Sequence, residues 1–365
     1  MSVFLQNHPG ERAIRPRPAA GNGRQGTIAY AVILLVAVPV AIIITVTRRL
    51  AAIGRIETLT MYTVSGAVVL LCAALLIGIM RKLLYKNRAE QKKYYRLAGG
   101  LSWLPAEKRE SLQLEAHYGY HTGSWTETLE YWPSEVRLPS GVRFTTFIPT
   151  TKEDRLAGTD QAWAVLSEKS YSERIEALFE GLHSKRFAAD MQLMAVPDRD
   201  ALVARQAELT QLPGSYVLGC GAAQGSRPAA LVWAFDLQRV VELSRSSFMA
   251  GIIPEQKAWE HILKASAYVH ALFANADDFF NNYRLGHAYW CNDFRQTNET
   301  AQMHKAYNKD CDWPIKNVPW TIKEAGILPE VICNGCRDYV AEERRKRNTG
   351  PIGFRTGNND TEPGL

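Results

Sequence analysis

Charge is missing from two long stretches of a chain in which Asp, Glu, Lys and Arg otherwise make up 22% of the 365 residues. Elsewhere the charge is mixed, with the basic excess beside those stretches. The net charge of +6 is modest, and no basic stripe interleaved with aromatics is present, which argues against a nucleic-acid-binding surface. Cysteine is also scarce at six residues, one of them, Cys72, inside an uncharged stretch. Reduced thiols are the default for a cytoplasmic domain, and the other five are disulfide candidates for a periplasmic one. Several catalytic signatures are absent: a Gly-x-Ser-x-Gly elbow, a His-Glu-x-x-His pair and the kinase set. Gly219–Gly225 is glycine-rich but lacks the Gly-Lys-Ser/Thr ending of a phosphate loop and the spacing of a dinucleotide fingerprint, so it reads as a plain flexible loop. These absences lower the weight of an enzymatic reading without removing it, since catalytic groups also converge from distant positions.

The uncharged stretches are Thr27–Thr47 and Leu59–Met80. At about 1.5 Å per residue, each is long enough to cross a hydrocarbon layer of about 30 Å. A signal peptide is a poor match, because the first run follows a 26-residue segment rich in Pro, Gly, Arg and Asn and is too long. A transmembrane hairpin over residues 27–80 is therefore expected. Arg12, Arg15, Arg17 and Arg24 precede it, and Arg81, Lys82, Lys86, Arg88, Lys92, Lys93 and Arg96 follow it, whereas the turn holds only Arg48, Arg49 and Arg55. This bias places both termini in the cytoplasm of a bacterial inner-membrane protein. The lipid bilayer is then one partner. Pro39 is expected to kink the first span, and the small residues Ser65, Gly66, Ala67, Ala73 and Ala74 of the second allow close helix approach.

The remaining chain divides into a disordered N-terminus (1–26), a basic juxtamembrane helix (81–97), a cytoplasmic domain with a C-terminal extension (98–345) and a disordered tail (346–365). The domain is mainly α. Helices are expected over Pro105–Tyr118, from a capping box at Ser170-Tyr-Ser-Glu173 to Leu182, over Asp198–Leu209, from Ser226-Arg-Pro228 to Met249, from Pro254 to Phe273, and from Asp277 or Asp278 to Trp290. Residues 122–151 read as irregular, with a short strand such as Val142–Ile148.

Three of these helices carry a resemblance. The stretches Leu231–Arg239 (LVWAFDLQR), Ala250–Glu260 (AGIIPEQKAWE) and Asp277–Trp290 (DDFFNNYRLGHAYW) resemble a bacterial family named domain of unknown function 1266 (DUF1266). Ala162-Trp163 through Gly181-Leu-His183 and Phe187 resembles its first half, so the likeness spans roughly residues 155–295. The resemblance implies a mainly helical fold without an established activity, in a family some of whose members accompany secretion or toxin systems.

Candidate functional residues follow from these segments. Asp236 and Arg239 share one helix face, as an ion pair fixing helix packing or as part of a ligand site. Trp233, Trp259, Tyr283, Tyr289 and Trp290 are core anchors or pocket walls, and His287 lies beside Gly286. Cys291, Cys311, Cys333 and Cys336 could supply four thiolates to a structural zinc, although Cys333-Asn-Gly-Cys336 lacks a second pair of the same spacing. No cofactor is implied. The sequence thus points to a membrane-anchored binding or accessory protein with a protein partner. An enzyme using a pocket around Asp236 and Arg239 is the alternative.

Overall fold

The computed structural model describes residues 23–84, 86–97, 104–133, 135–138, 141–145, 152–225 and 227–349. The fold is mainly helical, as expected, and its one described sheet is a short antiparallel pair, β1 (Glu135–Arg137) and β2 (Arg143–Thr145), with Val136 opposite Phe144. The last part of the expected strand, residues 146–148, lies outside the described residues.

Helices α1 (Gly23–Ala52) and α2 (Thr58–Leu84) hold the two uncharged runs and pack together, with Thr47 Oγ1 3.3 Å from Ser65 Oγ. The Ser65 contact falls among the small residues that favour close approach. Among the described residues, one segment, Thr58–Ile79, is long and apolar enough to cross a membrane; its mean hydropathy is 2.3 and none of it is buried. The helix begins at Gly23, so the last residues of the segment read as disordered are helical; residues 1–22 lie outside the described residues.

Helix α3 (Lys86–Leu97) does more than leave the membrane. It buries Asn87, Gln91, Tyr94 and Tyr95, spaced as one helical face. Gln91 donates to the Ser124 carbonyl at 2.8 Å and accepts from the Thr126 amide at 3.2 Å, so α3 docks on the domain. The expected helix over Pro105–Tyr118 is broken into α4 (Ala106–Gln113) and α5 (Ala116–Thr122), because Glu115 turns into the core to meet Arg245 at 2.9 Å. Arg245, 1% exposed, also donates to the carbonyls of Trp125, Thr128 and Leu129. One buried guanidinium thereby satisfies the backbone of an irregular segment that no ladder pairs.

Next come α6 (Lys152–Trp163), α7 (Glu168–Phe179), α8 (Ser184–Leu193), α9 (Val196–Thr210), α10 (Gly214–Cys220), α11 (Trp233–Ala250), α12 (Glu255–Leu272), α13 (Ala276–Cys291), α14 (Phe294–Asp310), α15 (Glu330–Cys333) and α16 (Arg337–Thr349). The capping box of α7 is formed by Ser167 and Ser170, three residues earlier than expected, so Ser170 is the third helical residue instead of the cap. Helix α11 starts five residues beyond Pro228, since Leu231 takes a left-handed conformation (φ 42°) and donates to the Cys220 carbonyl. Ser226 lies outside the described residues. Helix α16 runs through Thr349, so residues 346–349 are helical, contrary to expectation; residues 350–365 lie outside the described residues.

Helix α11 is the centre of the domain. Fourteen of its eighteen residues are buried, which requires partners on every side: α6, α7, α12 and α13 surround it. Two glycines permit this crowding. A Cβ at Gly286 would lie 2.3 Å from Phe235 Cβ, and one at Gly181 (φ +83°) would lie 2.6 Å from the Trp233 ring. Glycine at 286 lets α13 close on α11, and this positions the site.

Candidate functional site

Asp236 projects from the first turn of α11 and is fully buried. Its carboxylate accepts from the Ser184 amide at 2.9 Å, Ser184 Oγ at 2.7 Å, the His183 amide at 3.1 Å and His183 Nδ1 at 2.7 Å. Helix α8 has no side-chain cap of its own, so Asp236 supplies the cap from a different helix. With Nδ1–H given to Asp236, the His183 Nε2 lone pair faces Arg239 Nη1 at 3.3 Å. Asp236 and Arg239 are therefore linked through His183; the direct ion pair considered from their spacing does not form.

The Arg239 guanidinium sits among aromatic rings, 4.3 Å from the centroid of Trp163, 4.9 Å from Phe235 and 5.0 Å from Trp290. Rings around a cation hold it in place by their negative faces. Together these groups wall a cavity of about 250 Å³, with Tyr283 and His287 from α13, His117 and Tyr118 from α5, and Gln296, Thr300 and Met303 from α14. Residues Phe235, Gln238, Arg239 and Glu242 contribute one face of α11, at the i, i+3, i+4, i+7 spacing of a helix.

Among the described residues, three buried polar atoms of this lining have no hydrogen-bond partner: His117 Nδ1, His287 Nδ1 and Gln238 Oε1. Burial pushes His117 down to about 3, with His304 adding to the effect. Burial, with Arg239 beside it, pushes His287 down to about 4. Both imidazoles are neutral at neutral pH. Burial pushes Glu242 up to about 7; the Glu115 carboxylate acts in the same direction and Arg239 opposes it. Among the described lining residues Arg239 is the cation and Glu242 is partly protonated at neutral pH, and the cavity is suited to an anion with a flat or apolar body.

Of the residues singled out by sequence, Arg239, Tyr283, His287 and Trp290 line the cavity. Asp236 stands behind it. Trp233 packs under Gly181, and Trp259 is buried beneath the Lys108 ammonium, 4.5 Å from its ring; neither reaches the cavity. His117, Trp163, Phe235, Gln238 and Glu242 were not anticipated. The α11 members among them carried a usable signal in their spacing, whereas His117 lies more than a hundred residues away in sequence.

The four cysteines do not assemble. Cys291 Sγ lies 3.7 Å from Thr297 Oγ1, Cys333 Sγ is 3.6 Å from the Leu328 carbonyl, and Cys311 and Cys336 are buried thiols pushed upward by burial. All six cysteines are free, and no group of three His, Cys, Asp or Glu among the described residues is placed to hold a metal ion.

Residues 160–320 match the family model described as "Protein of unknown function (DUF1266)". The chain is also similar to the inner membrane protein YnjI of Escherichia coli (strain K12), with 29% identity over 263 residues, covering 67% of this chain and 75% of the relative. No solved structure matches it.

Proposed function

For a chain whose residues 160–320 belong to the DUF1266 family, we propose a membrane-anchored ligand-binding protein whose cavity around Arg239 receives a small anionic molecule. The observation that carries this reading is the convergence of Arg239 with three partnerless buried polar atoms on one aromatic-walled cavity. Buried polar atoms are ordinarily hydrogen-bonded, and a ligand with a charged end and polar edges would meet those left over here. Charge selects the anion, while Trp163, Phe235 and Trp290 would cover its flat face.

Location in an inner membrane is supported by the similarity to YnjI, by the apolar helix Thr58–Ile79 and by the pairing of α1 with α2. We extend this to two spans with both termini cytoplasmic, on the excess of Lys and Arg outside the turn. An accessory role beside a protein partner is compatible with this anchoring, but neither comparison supports a link to secretion or toxin–immunity systems.

A second reading, an enzyme at the membrane surface, rests on Glu242. A carboxyl that exchanges its proton near neutral pH beside Arg239 is suited to acid–base work. The readings separate in one experiment on detergent-solubilised full-length protein. A panel of small carboxylates and phosphates is screened by thermal shift, and the hits are incubated and analysed for conversion. Binding without conversion, lost in Arg239→Gln, is the expected outcome. Conversion lost in Glu242→Gln would establish the enzyme, and the absence of any hit that depends on Arg239 would remove the cavity reading.

A further inference from the structure

On the far side of α14 from the cavity lies an open groove of about 600 Å³, between that helix and the end of α9. Arg284, Lys305 and Lys309 line it, and no carboxylate does. None of these three cations has an ion-pair partner among the described residues. Arg284 is the informative one. It is partly buried, its Nη2 reaches only the Asn281 amide oxygen at 3.4 Å, and its Nε is buried without a hydrogen-bond acceptor. Burial holds its pKa below the usual guanidinium value. A guanidinium withdrawn from water without a counter-charge is costly, and the cost is recovered when an oxyanion takes the side-on Nε–Nη edge.

We infer that this groove is a second binding site, for the phosphate groups of a phosphorylated small molecule or of a lipid headgroup, with Arg284, Lys305 and Lys309 as its receptors. The planar edge of Arg284 fits two oxygens of one phosphate, and the two ammonium groups, one helical turn apart on α14, fit the remaining charge. This inference goes beyond the cavity reading and does not depend on it. The two spaces nevertheless meet. A neck of about 20 Å³, room for about one water, shares Arg284, Ala301 and His304 with the groove and His117, Tyr283 and Thr300 with the cavity. In it the His304 ring lies 4.0 Å from that of Phe280.

The test is calorimetric titration of inorganic pyrophosphate into full-length protein in a zwitterionic detergent. Titrated in the Arg239→Gln background, which removes the cavity's own anion binding, saturable binding is expected and is weakened about tenfold or more when Lys305→Gln/Lys309→Gln or Arg284→Gln is added. The lysines are helix-surface positions, so the double variant keeps the result interpretable if Arg284→Gln fails to fold. Competition by glycerol 3-phosphate identifies a soluble ligand, and competition only by short-chain phosphatidic acid identifies a lipid headgroup; either supports the site. No saturable binding, or binding that persists when both lysines are replaced in that background, overturns it. Loss in Arg239→Gln overturns it as well, by moving the anion into the cavity, and leaves the cavity reading intact.

Discussion

Glu242 is the residue whose chemistry the cavity alters most visibly. Its pKa in the folded protein, about 7, lies above the ordinary 4.5, so the protonated form is the one folding favours. The stability it contributes is fully present below about pH 4.5 and is lost as pH rises through about 7. Glu242→Gln, neutral at every pH, removes this loss. The melting temperature of the variant relative to the parent should therefore climb from acidic to mildly alkaline pH; a difference flat across that range would show that Glu242 is ordinarily solvated. None of this was read from the sequence, where Glu242 stands between Val241 and Leu243 with no motif to mark it. Its environment is built by Glu115 and Arg239, and Glu115 arrives from a segment more than a hundred residues away.

Helices are where the sequence spoke most clearly. Pro254 at the start of α12, Gly251 after α11 and the apolar spacing of α9 all mark elements near their observed bounds. Elements capped from a distance were harder to read. Helix α8 opens on the carboxylate of Asp236, and the opening of α11 is satisfied by Asn282, which accepts from the Ala234 amide at 3.0 Å and donates to the Leu231 carbonyl at 2.8 Å. A cap supplied by another helix leaves no local pattern, and so α8 went unread and α11 was started too early. The same fact explains why Asp236 and Arg239 looked like an ion pair: spacing on one helix cannot reveal that a histidine from elsewhere stands between them. Asp236→Ala should remove the α8 cap and cost about 2 kcal/mol or more, at the upper end of cap losses because the site is fully buried. Hydrogen exchange at the His183 and Ser184 amides should accelerate beyond the global change. Unchanged exchange there would contradict the capping role.

Across the whole molecule, the apolar span Thr58–Ile79 was evident from composition alone, and the domain's mainly helical character from periodicity. The cavity and groove were not, because the cavity arises where α5, α11, α13 and α14 converge and the groove where the end of α9 meets α13 and α14. One consequence belongs to the entire domain. His117, His270, His287 and His304 are all held neutral by burial, at about 3 for the first and about 4 for the others, against an ordinary 6.5. Folded values depressed in this way make their contribution to stability complete above about 6.5 and progressively lost as pH falls toward about 4. Denaturation at constant temperature should accordingly show stability declining through that acidic window, steeply enough to exceed the opposite trend of Glu242. Stability that holds constant down to about pH 4 would show that these rings are hydrated.

The most direct measurement is native mass spectrometry of the full-length protein released gently from its own membranes, comparing the parent with Arg239→Gln. A small anionic molecule retained by the parent and absent from the variant is expected. This expectation would be contradicted by a bare parent that also fails to retain any added carboxylate or phosphate, or by a bound molecule that Arg239→Gln keeps undiminished.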